Sequence, residues 1–162
     1  MGGTLTVHAR LIAEQLRDTL CYLHRAGVLH LDIKPQNVVW GEEIRHTYII
    51  DLILAEQWPT QKTELTRQYG TQWYRAPELN TKLPASAALL RPALDCWSLG
   101  CTLYELGGAS PLFASKTITH ASLWVGKPDA WLRHVPATIS HAVACLLGNI
   151  DKREVTLRVP LV

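Results

Sequence analysis

Apolar positions along the chain change period several times, and each change predicts an element. In residues 5–26, Ile12, Leu16, Leu20 and Leu23 recur at steps of three and four, with Arg10, Glu14 and Arg17 between them. That is the pattern of a helix with one buried face, and Gly27 stands where such a helix stops. Short aliphatic and β-branched runs follow at Val28–Leu29, Val38–Trp40 and Tyr48–Ile50, the last two spaced to pair as a hairpin across the polar GEEIRHT segment. Residues 55–72 are polar and without period, and a loop of that length is usually functional or disordered. ALDCWSLGCTLYEL, residues 93–106, is apolar on almost every side and predicts a buried central helix, with Pro84 and Pro92 before it and Gly107–Gly108 after it. Residues 118–135 hold Trp124 and Trp131 around a Gly-Lys-Pro turn and predict two short helices; TISHAVACLL, residues 138–147, predicts a last amphipathic one. The pattern as a whole predicts one domain, mainly α with a small β-hairpin region.

Composition and charge narrow the class. The 162 residues are 48% hydrophobic, ordinary for a globular chain. Lys and Arg total 16 against 14 Asp and Glu, a net charge of +2, which offers nothing to a nucleic acid or a membrane surface. Four cysteines, Cys21, Cys96, Cys101 and Cys145, form no C-x-x-C pair and no zinc spacing. Reduced thiols in a cytoplasmic or nuclear setting are expected. No apolar run approaches a transmembrane segment. MGGTLT matches a lipidation pattern through Gly2 and Thr6, a short pattern whose plain alternative is a glycine turn before a helix.

The chemistry concentrates in VLHLDIKPQNVVW, residues 28–40, where Asp32, Lys34 and Asn37 share six positions. Phosphoryl transfer needs a group that orients the attacking hydroxyl and accepts its proton, positive charge near the moving group, and oxygen ligands for magnesium. Asp32 can serve as base, Lys34 as charge, and Asn37 with Asp51 as metal ligands, since magnesium prefers one or two carboxylates plus phosphates and waters. Each of these residues taken singly reads better as a solvated loop side chain.

HLDIKPQN, IIDLILAE, YGTQWYRAPEL and LDCWSLG, in this order, resemble the C-terminal lobe of the protein kinase family, whose signatures include H-R-D-L-x-x-x-N, D-F-G and A-P-E. The resemblance runs from about Gly3 to about Arg153. It implies that His30 braces the catalytic loop, that Asp32 is the catalytic base and that Lys34 contacts the γ-phosphate of ATP. It also implies that Asn37 and Asp51 bind Mg2+, and that Thr71 bonds the catalytic aspartate and lysine. Glu78 is expected to pair with Arg153, and Asp95 to accept hydrogen bonds from the catalytic-loop backbone, both structural roles. Lysine two places after the base is the serine/threonine pattern. WYRAPEL and DCWSLGC look most like the CMGC branch, where the arginine equivalent to Arg75 shapes a preference for proline after the target residue.

Departures from the pattern matter as much. Leu31 stands where most kinases have the arginine that binds an activation-loop phosphate, so modification of Thr63 or Thr66 is expected to act weakly through charge. Leu52–Ile53 replaces Phe-Gly; leucine is expected to fill the apolar slot, while β-branched Ile53 narrows the backbone choices. No G-x-G-x-x-G and no V-A-I-K strand precedes the catalytic loop. The expectation is therefore a partial kinase domain over residues 1–162, a kinase-like C-terminal lobe with the N-terminal β-lobe absent, whose turnover of ATP on its own is not expected. A protein substrate or a partner kinase is the implied partner, and the oligomeric state is open. The competing expectation is a non-catalytic module that binds a kinase or a kinase substrate through an exposed apolar surface, or a truncated product without a separate role.

Overall fold

In the computed structural model of the chain, the described residues are 8–60, 62, 64–65, 67–79, 85–86, 89–107, 110–114, 132 and 135–148. Helix α1, Ala9–Arg25, buries Ala9, Ile12, Ala13, Leu16 and Leu20 on one face, as its three-and-four spacing requires. His24 and Arg25 occupy its last turn, where the helix dipole favours positive charge. The chain leaves the helix through Gly27 at φ +74°. A side chain there would also sit 2.9 Å from the Trp58 carbonyl oxygen, because the Trp58 N–H donates to the Gly27 carbonyl.

Three two-stranded antiparallel ladders follow among the described residues. Strand β1, Val28–Leu29, pairs with β4, Glu56–Gln57, setting Leu29 opposite Glu56. Strands β2, Val38–Gly41, and β3, His46–Ile49, form a hairpin with Val38 opposite Ile49 and Gly41 opposite His46. Gln15 of α1 pins that hairpin: its side-chain oxygen accepts from the Thr47 N–H and hydroxyl at 2.8 and 2.9 Å, and its amide nitrogen donates to the Arg45 carbonyl. Strands β5, Glu64–Leu65, and β6, Ala85–Ser86, make the third ladder.

Helix α2, Ala93–Leu106, is buried continuously from Ala93 through Tyr104. It packs against α1 and against α3, Ala137–Leu146, whose Ile139, Ala142, Val143 and Leu146 face inward. Gly100 allows a close approach here, since a Cβ there would lie 2.9 Å from the Leu147 side chain. Trp97 is 1% exposed and stacks on Phe113 with ring centroids 5.5 Å apart.

The expected mainly α chain with one small hairpin is corrected by these strands: an N-terminal helix is followed by six strands in three ladders among the described residues. The physical reason is length. β4, β5 and β6 are two residues each and arise from pairing with distant backbone, so they leave no period-two signature. Trp40 and Trp58 are both partly buried against the core, while Trp73 is exposed. None of the four cysteines is in a disulfide. No helix among the described residues is long and apolar enough to cross a membrane. The two short helices expected within 118–135, and Gly2, Thr63, Thr66 and Arg153, lie outside the described residues.

Candidate active site

The site is built around Asp95, fully buried near the start of α2. Its carboxylate accepts the His30 N–H at 2.9 Å and the Leu31 N–H at 2.7 Å. His24 at the end of α1 meets the same carboxylate at 2.8 Å. A buried carboxylate is expensive unless several donors satisfy it, and these partners come from two parts of the chain, the end of α1 and the loop at His30–Leu31. They hold Leu31 at φ +64°, a left-handed conformation uncommon for a side-chain-bearing residue, with its side chain 3% exposed.

His30 continues the brace. Its Nδ1 accepts the Asp32 N–H at 3.2 Å and its Nε2 donates to the Ile50 carbonyl at 3.1 Å, because a carbonyl only accepts. The Ile50 N–H in turn donates to the Asn37 carbonyl. The residue before Asp51 is thereby fixed from both sides.

Asp32, Lys34, Asn37 and Thr71 are brought together. Lys34 Nζ donates to Asp32 Oδ2 at 2.7 Å and to Thr71 Oγ1 at 2.9 Å. The Thr71 hydroxyl and N–H donate to Asp32 Oδ1 at 2.6 and 3.0 Å. Pro35 opens a single 3-10 turn, Pro35–Asn37, a position suited to a residue without an N–H. That turn returns the Asn37 amide nitrogen to the Asp32 carbonyl at 2.9 Å. Burial pushes the Asp32 carboxyl up, but the Lys34 ammonium and the Thr71 hydroxyl outweigh it and hold the group below its usual range. Asp32 is therefore a carboxylate at neutral pH, able to accept a proton.

Thr71 reaches this cluster through Gly70, at φ +77°, where a Cβ would press within 3.3 Å of the Leu31 carbonyl. Arg75 holds the same corner, donating through Nε to the Tyr69 carbonyl at 2.8 Å and through Nη2 to the Gly70 carbonyl at 2.7 Å. Burial lowers the Arg75 pKa from its usual value. Glu78 sits in the Pro77–Leu79 turn, and Arg153 lies outside the described residues.

Asp51 stands beside the cluster at φ +68°, exposed, with Oδ1 accepting the Ile53 N–H at 3.2 Å. Asn37 directs its amide hydrogens at Asp32 and so keeps its side-chain oxygen as an acceptor. Asn37 and Asp51 together offer the hard oxygen donors that magnesium takes, leaving its other positions to phosphate and water. Among the described residues, no group of three or more His, Cys, Asp or Glu is arranged to hold a metal ion. Leu52 is 54% exposed and occupies no apolar slot, against expectation; Ile53 is 80% exposed. Ile53 is absent from the residues at positive φ, so its backbone stays where a β-branched residue is at ease.

His24 and Glu56 were not anticipated from the sequence. His24 is one polar residue at a helix end, and only the fold brings it to Asp95. Glu56 lies in a stretch without period, where its carboxylate collects several partners.

The protein kinase domain model matches residues 4–159. The chain is 32% identical over 152 residues to the serine/threonine-protein kinase fused of Drosophila melanogaster, covering 93% of this chain and 18% of that protein. It is 37% identical over 132 residues to serine/threonine-protein kinase 36 of Pongo abelii, covering 80% of this chain and 9% of that protein. It is 36% identical over 127 residues to the mitogen-activated protein kinase homolog MMK2 of Medicago sativa, covering 75% and 32%. The chain thus spans a third or less of the length of these relatives. Because the domain match covers almost the whole chain, and the structure has an N-terminal helix followed by β-strands within it, the expected C-terminal lobe with its β-lobe absent is set aside. A kinase-domain match over 4–159, together with serine/threonine and mitogen-activated protein kinases among its relatives, places this chain in the protein kinase family.

Proposed function

We propose that this chain carries the phosphoryl-transfer site of a serine/threonine protein kinase that acts on a protein hydroxyl. The observation behind this reading is the closed Asp32–Lys34–Thr71 cluster, with Asn37 bonded into it. Mg-ATP, when bound, supplies the transferable phosphoryl group and cations that neutralise its charge. Asp32 orients the attacking hydroxyl and takes its proton as the new O–P bond forms and the bond to the ADP oxygen breaks. Lys34 offers positive charge at the moving group. Asn37 and Asp51 are the metal ligands, with His30 and Asp95 holding the loop and Thr71 limiting the motion of Asp32 and Lys34.

A CMGC-like specificity rests on Arg75, whose donors already engage the Tyr69 and Gly70 carbonyls; this turns those acceptors from an incoming peptide and favours proline after the target residue. Four free thiols favour a reducing compartment, cytoplasm or nucleus. The test is phosphoryl transfer from Mg-ATP to serine peptides with and without proline at the following position. Transfer that Asp32→Asn abolishes supports the reading. Transfer that survives this substitution sinks it.

A second reading is a non-catalytic binding module. Its support is a set of exposed apolar residues, Val39, Tyr48, Ile50, Leu52 and Ile53, on and after the β2–β3 hairpin. Failure of Mg-ATP to raise the melting temperature favours this alternative.

A further inference from the structure

Glu56 opens the aperiodic segment, and its carboxylate gathers side chains from further along it. Lys62 Nζ donates to Oε2 at 2.5 Å, Arg67 Nη2 to Oε1 at 3.0 Å, and the Tyr69 hydroxyl to Oε1 at 2.6 Å. The Arg67 guanidinium also lies 4.8 Å from the centroid of the Tyr69 ring. Glu56 is only 13% exposed at its side chain, and Tyr69 is 2% exposed. A buried tyrosine hydroxyl needs a partner, and charge-assisted donors are the strong ones.

The two ends of this knot are anchored at the active site. The Glu56 backbone pairs with Leu29, the residue before His30. Tyr69 is followed by Gly70 and Thr71, and Arg75 grips the carbonyls of Tyr69 and Gly70. Thr71 then meets Asp32. One carboxylate therefore joins the strand that leads into the catalytic loop to the residues that deliver Thr71. Leu31 offers no positive charge for a phosphate on this segment, whereas the segment's own Lys62 and Arg67 already meet an anion.

We propose that Glu56 is a positioning residue: a built-in anion that fixes residues 56–71 so that Thr71 meets Asp32 without an added phosphate. This rests on the proposed phosphoryl-transfer site, but it is tested by a readout that needs no turnover. Hydrogen exchange at the Thr71 amide and across residues 64–71 is measured in the full chain, in Glu56→Gln, Glu56→Asp and Arg67→Gln, and in the Glu56→Gln, Arg67→Gln double variant. Exchange is expected to rise about ten-fold in Glu56→Gln as the segment opens locally. Glu56→Asp should recover part of the protection. The double variant should exchange no faster than Glu56→Gln alone, since both substitutions break one network. Arg67, 42% exposed at its side chain, can be replaced without opening the core, so Arg67→Gln reports even where Glu56→Gln folds poorly. Where transfer is measurable, Glu56→Gln should lower kcat and leave KM for ATP within about two-fold. Protection at Thr71 unchanged in both single variants, or additive effects in the double variant, overturns the proposal. A chain that transfers no phosphoryl group yet loses this protection refutes the kinase reading alone.

Discussion

In the proposed role, Asp32 carries three demands at once: it must stay ionised, keep its orientation and remain able to take a proton. The Lys34 and Thr71 donors meet the first two. Asp32→Asn keeps the shape and removes the proton acceptor, so transfer should fall by about 10²–10⁴-fold while the Mg-ATP thermal shift persists. The pH response has a definite sign. Asp32 titrates below its unfolded value, so its contribution is complete above about pH 4 and is lost as pH falls through the lower folded pKa. Urea stability measured at pH 3 and pH 6 should therefore differ more in the native chain than in Asp32→Asn. Asp95→Ala strands the His30 and Leu31 N–H groups in a buried site and should cost about 2–5 kcal/mol in urea denaturation. Asp32, Lys34 and Asn37 were legible in the sequence because one short loop holds them. Asp95 and Thr71 were legible only through motif resemblance, and His24 had no signal, since nothing local marks a helix-end histidine as the partner of a distant carboxylate.

Elements differ in the same way. α2 was readable to its ends, Ala93–Leu106, because burial on almost every face leaves a mostly apolar run between proline and glycine. The β2–β3 hairpin was readable from two β-branched runs, whereas β4, β5 and β6 depend on what lies across from them. The exit from α1 depends on Gly27. Gly27→Ala forces a left-handed alanine and a Cβ 2.9 Å from the Trp58 carbonyl, and should destabilise the fold by about 1–2 kcal/mol or more in urea melts. Gly100→Ala pushes a methyl into Leu146 and Leu147 and should loosen the α2–α3 junction by about 1–3 kcal/mol. In the segment between β4 and β6, glutamate at Thr63 or Thr66 should change transfer by less than about three-fold, because Leu31 supplies no cation to receive it. A large gain in a peptide phosphorylation assay would contradict that.

At the scale of the molecule, the helical core of α1, α2 and α3 serves as a frame and the catalytic loop rests on it through Asp95. If the frame presents a nucleotide site, Mg-ATP at about 100-fold its Kd should stabilise the chain by about 2.7 kcal/mol, read as a rise in melting temperature. Asp51→Asn should shrink that shift and spare the fold, since Asp51 is exposed and bonds only locally to Ile53 among the contacts described. The sequence by itself determined the family, the helices with strong periodicity and the chemical identity of the catalytic loop, because motif spacing and hydrophobic period are local properties of the chain. Tertiary structure alone decided that Leu52 is exposed, that His24 and the His30–Leu31 backbone share one carboxylate, and that Glu56 gathers Lys62, Arg67 and Tyr69. Those arrangements depend on which distant segments meet once the apolar faces are buried, and no residue pattern along the chain encodes such a meeting in its own neighbourhood.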